Sequence, residues 1–142
     1  MLIGNGGIIH DYFGFGKVPK PPPPIITVPT TAGTGSEVTC SAIVTDTARR
    51  VKAVMASPIM FARVAIVDPG LLAGLPGPIA AGTLMDTLTH AIESMGSPKA
   101  NPWSRTLCLQ AIAHIGKYAR RFAAAPSDPE SADPISISSP WA

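Results

Sequence analysis

The hydrophobic pattern before residue 70 is that of short strands. Two β-branched runs, over residues 25–28 and 64–67, predict buried strands. Between them, alternation over residues 38–45 predicts a strand with one polar face, and residues 51–56 return after a turn, so a hairpin is expected. The first half of the chain therefore reads as β-rich.

After residue 70 the apolar positions recur at helical spacing. One helix is predicted from Pro78 to about Met95, with the proline in its first turn. Asn101 and Pro102 are typical of an N-cap and first helical residue, and they open a second helix that runs to about residue 125. The predicted apolar faces are Ile79, Leu84, Leu88, Ala91, Ile92 and Met95 in the first helix, and Leu107, Ala111, Ile115, Ala119 and Phe122 in the second.

Composition narrows the class of protein. The 142 residues suit about one domain. A net charge of +2 with mixed signs argues against nucleic acid as a partner. Two distant cysteines do not make a disulfide scaffold, and there is neither a signal-peptide pattern nor an apolar run of about 20 residues. We therefore expect a soluble, cytoplasmic protein without a membrane partner.

The first candidate site is a loop of small and hydroxylated residues over 29–37. Its glycines allow another group to approach the backbone closely. Threonine hydroxyls and free N–H groups there form a donor-rich concavity that suits an anion or the phosphates of a cofactor. A flexible connection between strands would have the same composition, so both interpretations stay open on this ground alone.

The second candidate pairs Asp86 with His90. At positions i and i+4 of a helix the two side chains project from one face, about one turn apart. A carboxylate and an imidazole so placed can bind Fe²⁺ or Zn²⁺, although a catalytic zinc site needs about three protein ligands. An ordinary hydrogen bond between the two side chains is the alternative. His114 lies among apolar residues and is interpreted as a packed or surface histidine.

Three motifs, in this order, closely resemble the iron-containing (group III) alcohol dehydrogenase family, and the resemblance extends from about residue 11 to residue 121. They are Pro-Thr-Thr-Ala-Gly-Thr-Gly-Ser-Glu-Val-Thr over 29–39, Val-Asp-Pro over 67–69 and Thr-Leu-Met-Asp-Thr-Leu-Thr-His-Ala-Ile-Glu over 83–93. The resemblance implies an α/β part followed by an all-α part, as in a fragment of a dehydroquinate-synthase-like two-domain fold. Residues 1–70 would end the dinucleotide-binding domain, and 71–125 would begin the helical metal-binding domain. Residues 126–142 are rich in proline, serine and aspartate and show no periodicity, so their composition predicts a disordered tail.

The resemblance also implies a site. Asp86 and His90 match the first two metal ligands of the family, and no catalytic residue is expected beyond the metal ligands. The metal, Fe²⁺ or Zn²⁺, would polarise the oxygen of a small alcohol while hydride passes to NAD or NADP, giving an aldehyde or ketone. Positions that correspond to cofactor contacts are Thr30, Thr31, Thr34, Ile43, Lys52, Leu71 and Leu75.

Some family features are missing from the sequence. The glycine-rich pyrophosphate turn and two further metal-binding histidines are not found, and Leu84 stands where the family usually has glycine. We therefore expect the central piece of such an enzyme, from a truncated, frameshifted or partial sequence, whose full-length relatives are homo-oligomers. The alternative is a non-catalytic remnant that acts, if at all, as a structural or interaction piece.

Overall fold

The computed structural model describes residues 4–136, which fall into two compact units. The first comprises the described residues of Met1–Thr27 together with Glu37–Ala65. The second comprises Val28–Ser36 and the described residues of Ile66–Ala142. The strands belong to the first unit and the helices belong to the second, as the change of hydrophobic period predicts.

The first unit is built on the predicted hairpin. Strand β1 covers Gly14–Phe15 and β2 covers Ile26–Thr27; the hairpin strands are β3 (Ser41–Asp46) and β4 (Val51–Ala56), and β5 covers Val64–Ala65. β3 and β4 pair antiparallel, and β1 pairs parallel with the other edge of β4. One face of the hairpin covers a small core in which Tyr12, Val18, Met55 and Met60 are buried.

The runs that predict buried strands form a second, two-stranded sheet. β2 pairs parallel with β5, with Ile26 opposite Val64. The strands exist, but their burial was predicted wrongly, because Ile26 is 61% exposed and Val64 is 49% exposed. A parallel sheet becomes buried only when layers cover both its faces. Hydrophobic runs predict the strand, whereas burial depends on those covering layers.

The second unit is a pair of long helices with a short third one. α1 spans Gly77–Gly96, α2 spans Pro102–Ala124 and α3 spans Pro129–Ser136. The predicted face of α2 is buried at Ala111, Ile115 and Phe122. On α1 the prediction is partly wrong, since Ile79 and Ile92 are about half exposed. The buried stripe of α1 keeps the predicted Leu84 and Ala91 but takes Ala80 and the polar Thr87 as its other members.

Helix α3 lies in the segment after residue 126, for which the composition predicts a disordered tail. Ala132 and Ile135 are 3% and 1% exposed and join the core that α1 and α2 share. The Arg121 guanidinium forms ion pairs with the carboxylates of Asp128 and Glu130. The prolines and serines of this segment favour disorder. Its helix is nevertheless ordered, because Ala132 and Ile135 pack into the hydrophobic core. Residues 137–142 of the predicted tail lie outside the described residues.

The two compact units do not divide the chain at a single point near residue 70. The loop over 28–36 belongs with the helices, although strands precede and follow it in the chain. Ala32 explains the grouping, because it is 3% exposed and packs in one cluster with Leu84 and Ile115. Leu84 therefore fills a core position beneath the loop.

Between residues 4 and 136, none of the helices is long and apolar enough to cross a membrane.

Candidate active site

The loop over residues 28–36 and helix α1, which carries Asp86 and His90, meet inside the second unit. The loop turns at two glycines with left-handed backbone, Gly33 at φ 85° and Gly35 at φ 63°. Both glycines are buried, whereas Thr30 and Thr34 are exposed. The loop thus lays its backbone on α1 and leaves threonine side chains accessible to a ligand.

Gly33 sits directly against the buried stripe of α1. A Cβ atom added at Gly33 would lie 1.9 Å from Oγ1 of Thr87 and 2.8 Å from the carbonyl oxygen of Thr83. Thr87 is fully buried, and its hydroxyl donates to that same carbonyl at 2.9 Å. Only a residue without a side chain fits at this contact.

This contact brings the loop backbone to the imidazole of His90. Nδ1 of His90 lies 3.1 Å from the carbonyl oxygen of Gly33. A carbonyl oxygen can only accept a hydrogen bond, so the ring donates from Nδ1. Nε2 of the neutral ring then keeps its lone pair. Histidines that bind metals are held in this way, with the other ring nitrogen donating to a carbonyl or carboxylate.

The free nitrogen of His90 faces Asp86. Nε2 lies 3.8 Å from Oδ1 of Asp86, which is too long for a hydrogen bond. Metal bonds to imidazole nitrogen and carboxylate oxygen are about 2.1 Å long, so a tetrahedral ion holds two ligand atoms about 3.4 Å apart, a few tenths of an ångström closer than this pair. The Asp86 side chain is 53% exposed and that of His90 is 33% exposed. This nitrogen and oxygen donor pair fits Fe²⁺ or Zn²⁺.

Asp86 and His90 would make at most a partial ligand set. Among the described residues, no group of three or more histidine, cysteine, aspartate or glutamate side chains could hold a metal ion. A catalytic zinc ion takes about three protein ligands. A catalytic metal held by Asp86 and His90 would therefore need at least one further ligand from outside residues 4–136.

The remaining predicted cofactor positions differ in how free their side chains are. Leu71 is 41% exposed and lies at the 3₁₀ turn Pro69–Leu72, which Asp68 caps through its carboxylate. Leu75 is partly buried and packs against the helical core. Thr31 is half-buried. Of these three, Leu71 has the most side-chain surface available to a ligand.

Ile43 and Lys52 lie in the first unit, on the hairpin. Ile43 is opposite Val54, and Lys52 is opposite Thr45. Because side chains alternate along a strand, all four share one face of the hairpin. Ile43 is 65% exposed and Lys52 is exposed, so this face offers an apolar side chain and a cation to solvent.

Sequence reasoning missed two residues that build the site, Gly33 as a backbone acceptor and Thr87 as its buried neighbour. The loop glycines were predicted to let another group approach the backbone closely. At Gly33 that group is α1. The small-residue motif did signal a close backbone contact, but it could not say which group would make it.

Two family models match the sequence. The model "Iron-containing alcohol dehydrogenase" covers residues 1–69, and "Fe-containing alcohol dehydrogenase family, C-terminal" covers residues 80–142. The second match continues to residue 142, so the resemblance extends further than the predicted end at about residue 121.

Individual relatives agree with the models. The chain is 42% identical over 118 residues to the NAD-dependent methanol dehydrogenase of Bacillus methanolicus, covering 83% of this chain and 31% of that protein. A crystal structure of 1,3-propanediol oxidoreductase superimposes with a TM-score of 0.92 at 36% identity, over 99% of this chain and 37% of the other. Sulfoacetaldehyde reductase from Bifidobacterium kashiwanohense, in complex with NAD⁺, gives 0.81 at 38% identity, over 92% and 35%.

The superpositions show which class of fold the chain belongs to. Its strands followed by helices are part of the two-domain fold of these oxidoreductases. The chain belongs to the iron-containing alcohol dehydrogenase family. It spans about a third of the length of the relatives it matches.

Proposed function

We propose that this chain is the part of a metal-dependent, NAD(P)-linked alcohol dehydrogenase that carries the cofactor loop and two of the metal ligands. The observation that carries the proposal is the arrangement at His90. Its Nδ1 is occupied by the Gly33 carbonyl at 3.1 Å, and its Nε2 is turned toward Asp86 at 3.8 Å. At that distance no hydrogen bond to Asp86 occupies the Nε2 lone pair, which stays available to a metal ion.

In this proposal Asp86 and His90 hold the metal, Fe²⁺ or Zn²⁺. The ion supplies Lewis acidity toward an alcohol or carbonyl oxygen, and NAD(P)⁺ accepts the hydride. The carboxylate of Asp86 adds negative charge to the ligand set, and His90 adds a neutral nitrogen ligand. The Gly33 carbonyl holds the imidazole, and the buried Thr87 packs against Gly33, so these two residues orient His90 and do not themselves react.

Cofactor binding is assigned to the exposed groups of the loop and hairpin. Thr30, Thr31 and Thr34 offer hydroxyls from a loop whose backbone is fixed on α1. Ile43 and Lys52 offer an apolar surface and a positive charge, which suit a nicotinamide or adenine ring and a phosphate. Leu71 and Leu75 complete the proposed set. The relatives named for NAD favour NAD over NADP.

The substrate is proposed to be a small alcohol or its aldehyde. The relatives carry names for methanol, 1,3-propanediol and sulfoacetaldehyde, which differ in size and charge. Their shared chemistry is oxidation of a CH–OH group or its reverse. The active assembly is proposed to be a homo-oligomer.

The direct test is to place this segment between the flanking parts of a 1,3-propanediol dehydrogenase and follow NAD(P)H formation with small alcohols. Asp86→Asn and His90→Ala should each abolish turnover and lower the bound metal per chain. Glu93→Gln, on the same helix and also exposed, is the matched control and should keep both. Wild-type turnover in His90→Ala would disprove the metal assignment, and an inactive parent chimera with metal and cofactor bound would favour the non-catalytic alternative.

A second variant tests the proposed cofactor contacts separately from the proposed metal ligands. Thr34→Val in the same chimera should weaken NAD(P) binding and leave the metal content unchanged, because it removes one exposed hydroxyl. His90→Ala should lower the metal content and leave NAD(P) binding largely unchanged. Fluorescence titration with the reduced cofactor and metal analysis report the two properties independently. Equal cofactor affinity in Thr34→Val would remove this threonine from the proposed cofactor contacts.

A further inference from the structure

We propose that Gly33 is a positioning residue for the metal site: its carbonyl holds the neutral ring of His90 in the Nδ1–H tautomer. In that tautomer Nε2 is a ready metal ligand. The consequence for metal binding rests on the function proposed above. The tautomer itself does not, because it follows from the contacts of the chain.

The 3.1 Å contact between Nδ1 and the Gly33 oxygen decides the tautomer. A neutral imidazole carries one proton. If that proton were on Nε2, two lone pairs would face each other across this contact, and the buried carbonyl would lose its donor. Asp86 does not offset this loss, since its Oδ1 is 3.8 Å from Nε2 and beyond hydrogen-bond reach.

The carbonyl cannot move away easily, because the packing of the loop on α1 and its backbone conformation both fix Gly33. Thr87 Oγ1 and the Thr83 carbonyl occupy the space where a side chain would begin. The preceding residue, Ala32, is buried in the helical core. The φ of 85° is a left-handed conformation that favours glycine. Residue 33 therefore presents its oxygen to His90 from a position that other residues cannot adopt without displacing the loop.

This arrangement links the proposed cofactor loop to the metal ligand. Partners that orient a metal-binding histidine typically affect metal affinity by about 10- to 100-fold. Because linkage is reciprocal, a ligand that fixes the loop should strengthen metal binding, and a bound metal should strengthen binding at the loop by the same factor. The loop and the helix thus form one unit in which each site supports the other.

The primary test is nitrogen NMR of the imidazole rings in the full 142-residue chain, labelled with ¹⁵N-histidine and free of metal and cofactor. The His90 signals are assigned by their loss in His90→Gln. In slightly alkaline buffer, wild type should show a pyrrole-like shift for Nδ1 and a pyridine-like shift for Nε2. The opposite pattern, with the proton on Nε2, would overturn the proposal without any variant.

Gly33→Ala adds a perturbation at the same contact. We expect His90 to shift toward the Nε2–H tautomer, or to a mixture of the two. Gly16→Ala is the matched control, because Gly16 also has a left-handed φ, 70°, but a Cβ there meets nothing within 4 Å. It should leave His90 unchanged. An unaltered Nδ1–H tautomer in folded Gly33→Ala would also overturn the proposal.

A backbone variant covers the case in which Gly33→Ala does not fold. Replacing Thr34 by its α-hydroxy acid converts the Gly33–Thr34 peptide into an ester, which weakens the Gly33 carbonyl as an acceptor and adds no atoms. The same exchange at Thr31 is the control. We expect a tautomer shift at His90 for the ester at 34 only, and equal behaviour of the two esters would contradict the proposal.

Metal titration distinguishes this inference from the proposed function. In the chimera, Gly33→Ala should weaken Zn²⁺ binding by about 10- to 100-fold relative to Gly16→Ala. A correct tautomer with no metal binding in any chimera would reject the proposed metal site and keep the positioning role. Tight metal binding with the wrong tautomer would reject the positioning role alone.

Discussion

The carbonyl oxygen of Gly33 lies 3.1 Å from Nδ1 of His90, although the two residues are 57 positions apart in the chain. One belongs to a loop between strands and the other to the middle of α1. Their contact joins a cofactor-type loop to a metal-type helix within one compact unit. It also explains why the helix buries a threonine, Thr87, beneath the loop glycine, since a larger side chain there would push the loop away from the helix.

Leu84→Ala should be strongly destabilising. Leu84 is 3% exposed and lies in the cluster that includes Ala32 of the loop. Truncating such a buried leucine typically costs about 2–5 kcal/mol, because apolar contact is lost and a cavity remains. Its neighbour Met85, 59% exposed, is the control, and Met85→Ala should change stability by less than about 0.5 kcal/mol. Urea unfolding measures both, and equal losses would contradict the packing described here.

Asn101→Ala should weaken the start of α2. The Asn101 side chain accepts from the backbone N–H of Ser104, and the Ser104 hydroxyl lies 3.0 Å from the backbone nitrogen of Asn101, completing a capping box. Loss of such a cap costs about 1 kcal/mol. Asn101→Asp keeps an acceptor and should stay close to wild type. The capping role fails if the alanine and aspartate variants unfold at the same urea concentration.

Asp46 should make the stability of the hairpin depend on acid. Its carboxylate accepts from the backbone N–H groups of Ala48 and Arg49 at 3.1 Å and lies 3.2 Å from Nε2 of His10. The hydrogen bond from Arg49 contributes most to lowering the pKa of Asp46; desolvation opposes it, and His10 adds to it. A folded pKa below the unfolded value of about 3.9 stabilises the fold above that pH. The contribution is lost as the pH falls through the lowered pKa.

Asp46→Asn tests this expectation, because the amide retains an acceptor and the shape but does not titrate. The wild type should be more stable than the variant at neutral pH, and the difference should shrink between about pH 5 and about pH 2. Urea unfolding across this range gives the difference directly. A difference that does not change with pH would show that the charge of Asp46 contributes nothing to folding.

Arg121 should determine how firmly α3 is held. Its guanidinium pairs with Asp128 and lies 2.8 Å from Glu130. The hydrogen bond to Glu130 is the main cause that raises the pKa of Arg121, with Asp128 adding to it and desolvation opposing it. Arginine is charged in both folded and unfolded chains at ordinary pH, so no pH dependence follows from this shift.

Arg121→Gln should therefore speed amide hydrogen exchange in Pro129–Ser136 and leave α1 unchanged. Arg120→Gln removes the same charge from the adjacent exposed position and serves as the control. Faster exchange in both variants would mean that net charge, and not the ion pairs of Arg121, holds the helix.

Much of the local structure could be predicted from the sequence. Helical spacing predicted α1 and α2, and the Asn-Pro pair predicted where α2 begins. Alternation predicted the β3–β4 hairpin. The motifs around Thr34 and His90 predicted the family, which the family models confirm. These signals are local, since each depends on neighbours within a turn, a strand or a single motif.

Burial was less predictable, because it depends on what packs against an element. Ile26 and Val64 belong to β-branched runs but remain exposed on a two-stranded sheet. The α1 stripe contains Thr87, which satisfies its own hydroxyl within the helix and so tolerates burial. In α3, Ile135 finds a core despite surrounding residues that favour disorder.

By itself the sequence determined that Asp86 and His90 share a helix face, because a spacing of four residues fixes this in any α-helix. Only the tertiary structure decided which nitrogen of His90 remains free for a ligand. That choice depends on the Gly33 carbonyl, which reaches the ring through a loop folded onto α1. The helical repeat reports only on neighbours within a few residues and carries no information about a partner 57 residues away. That partner is set by the tertiary packing of the loop on α1 at Gly33.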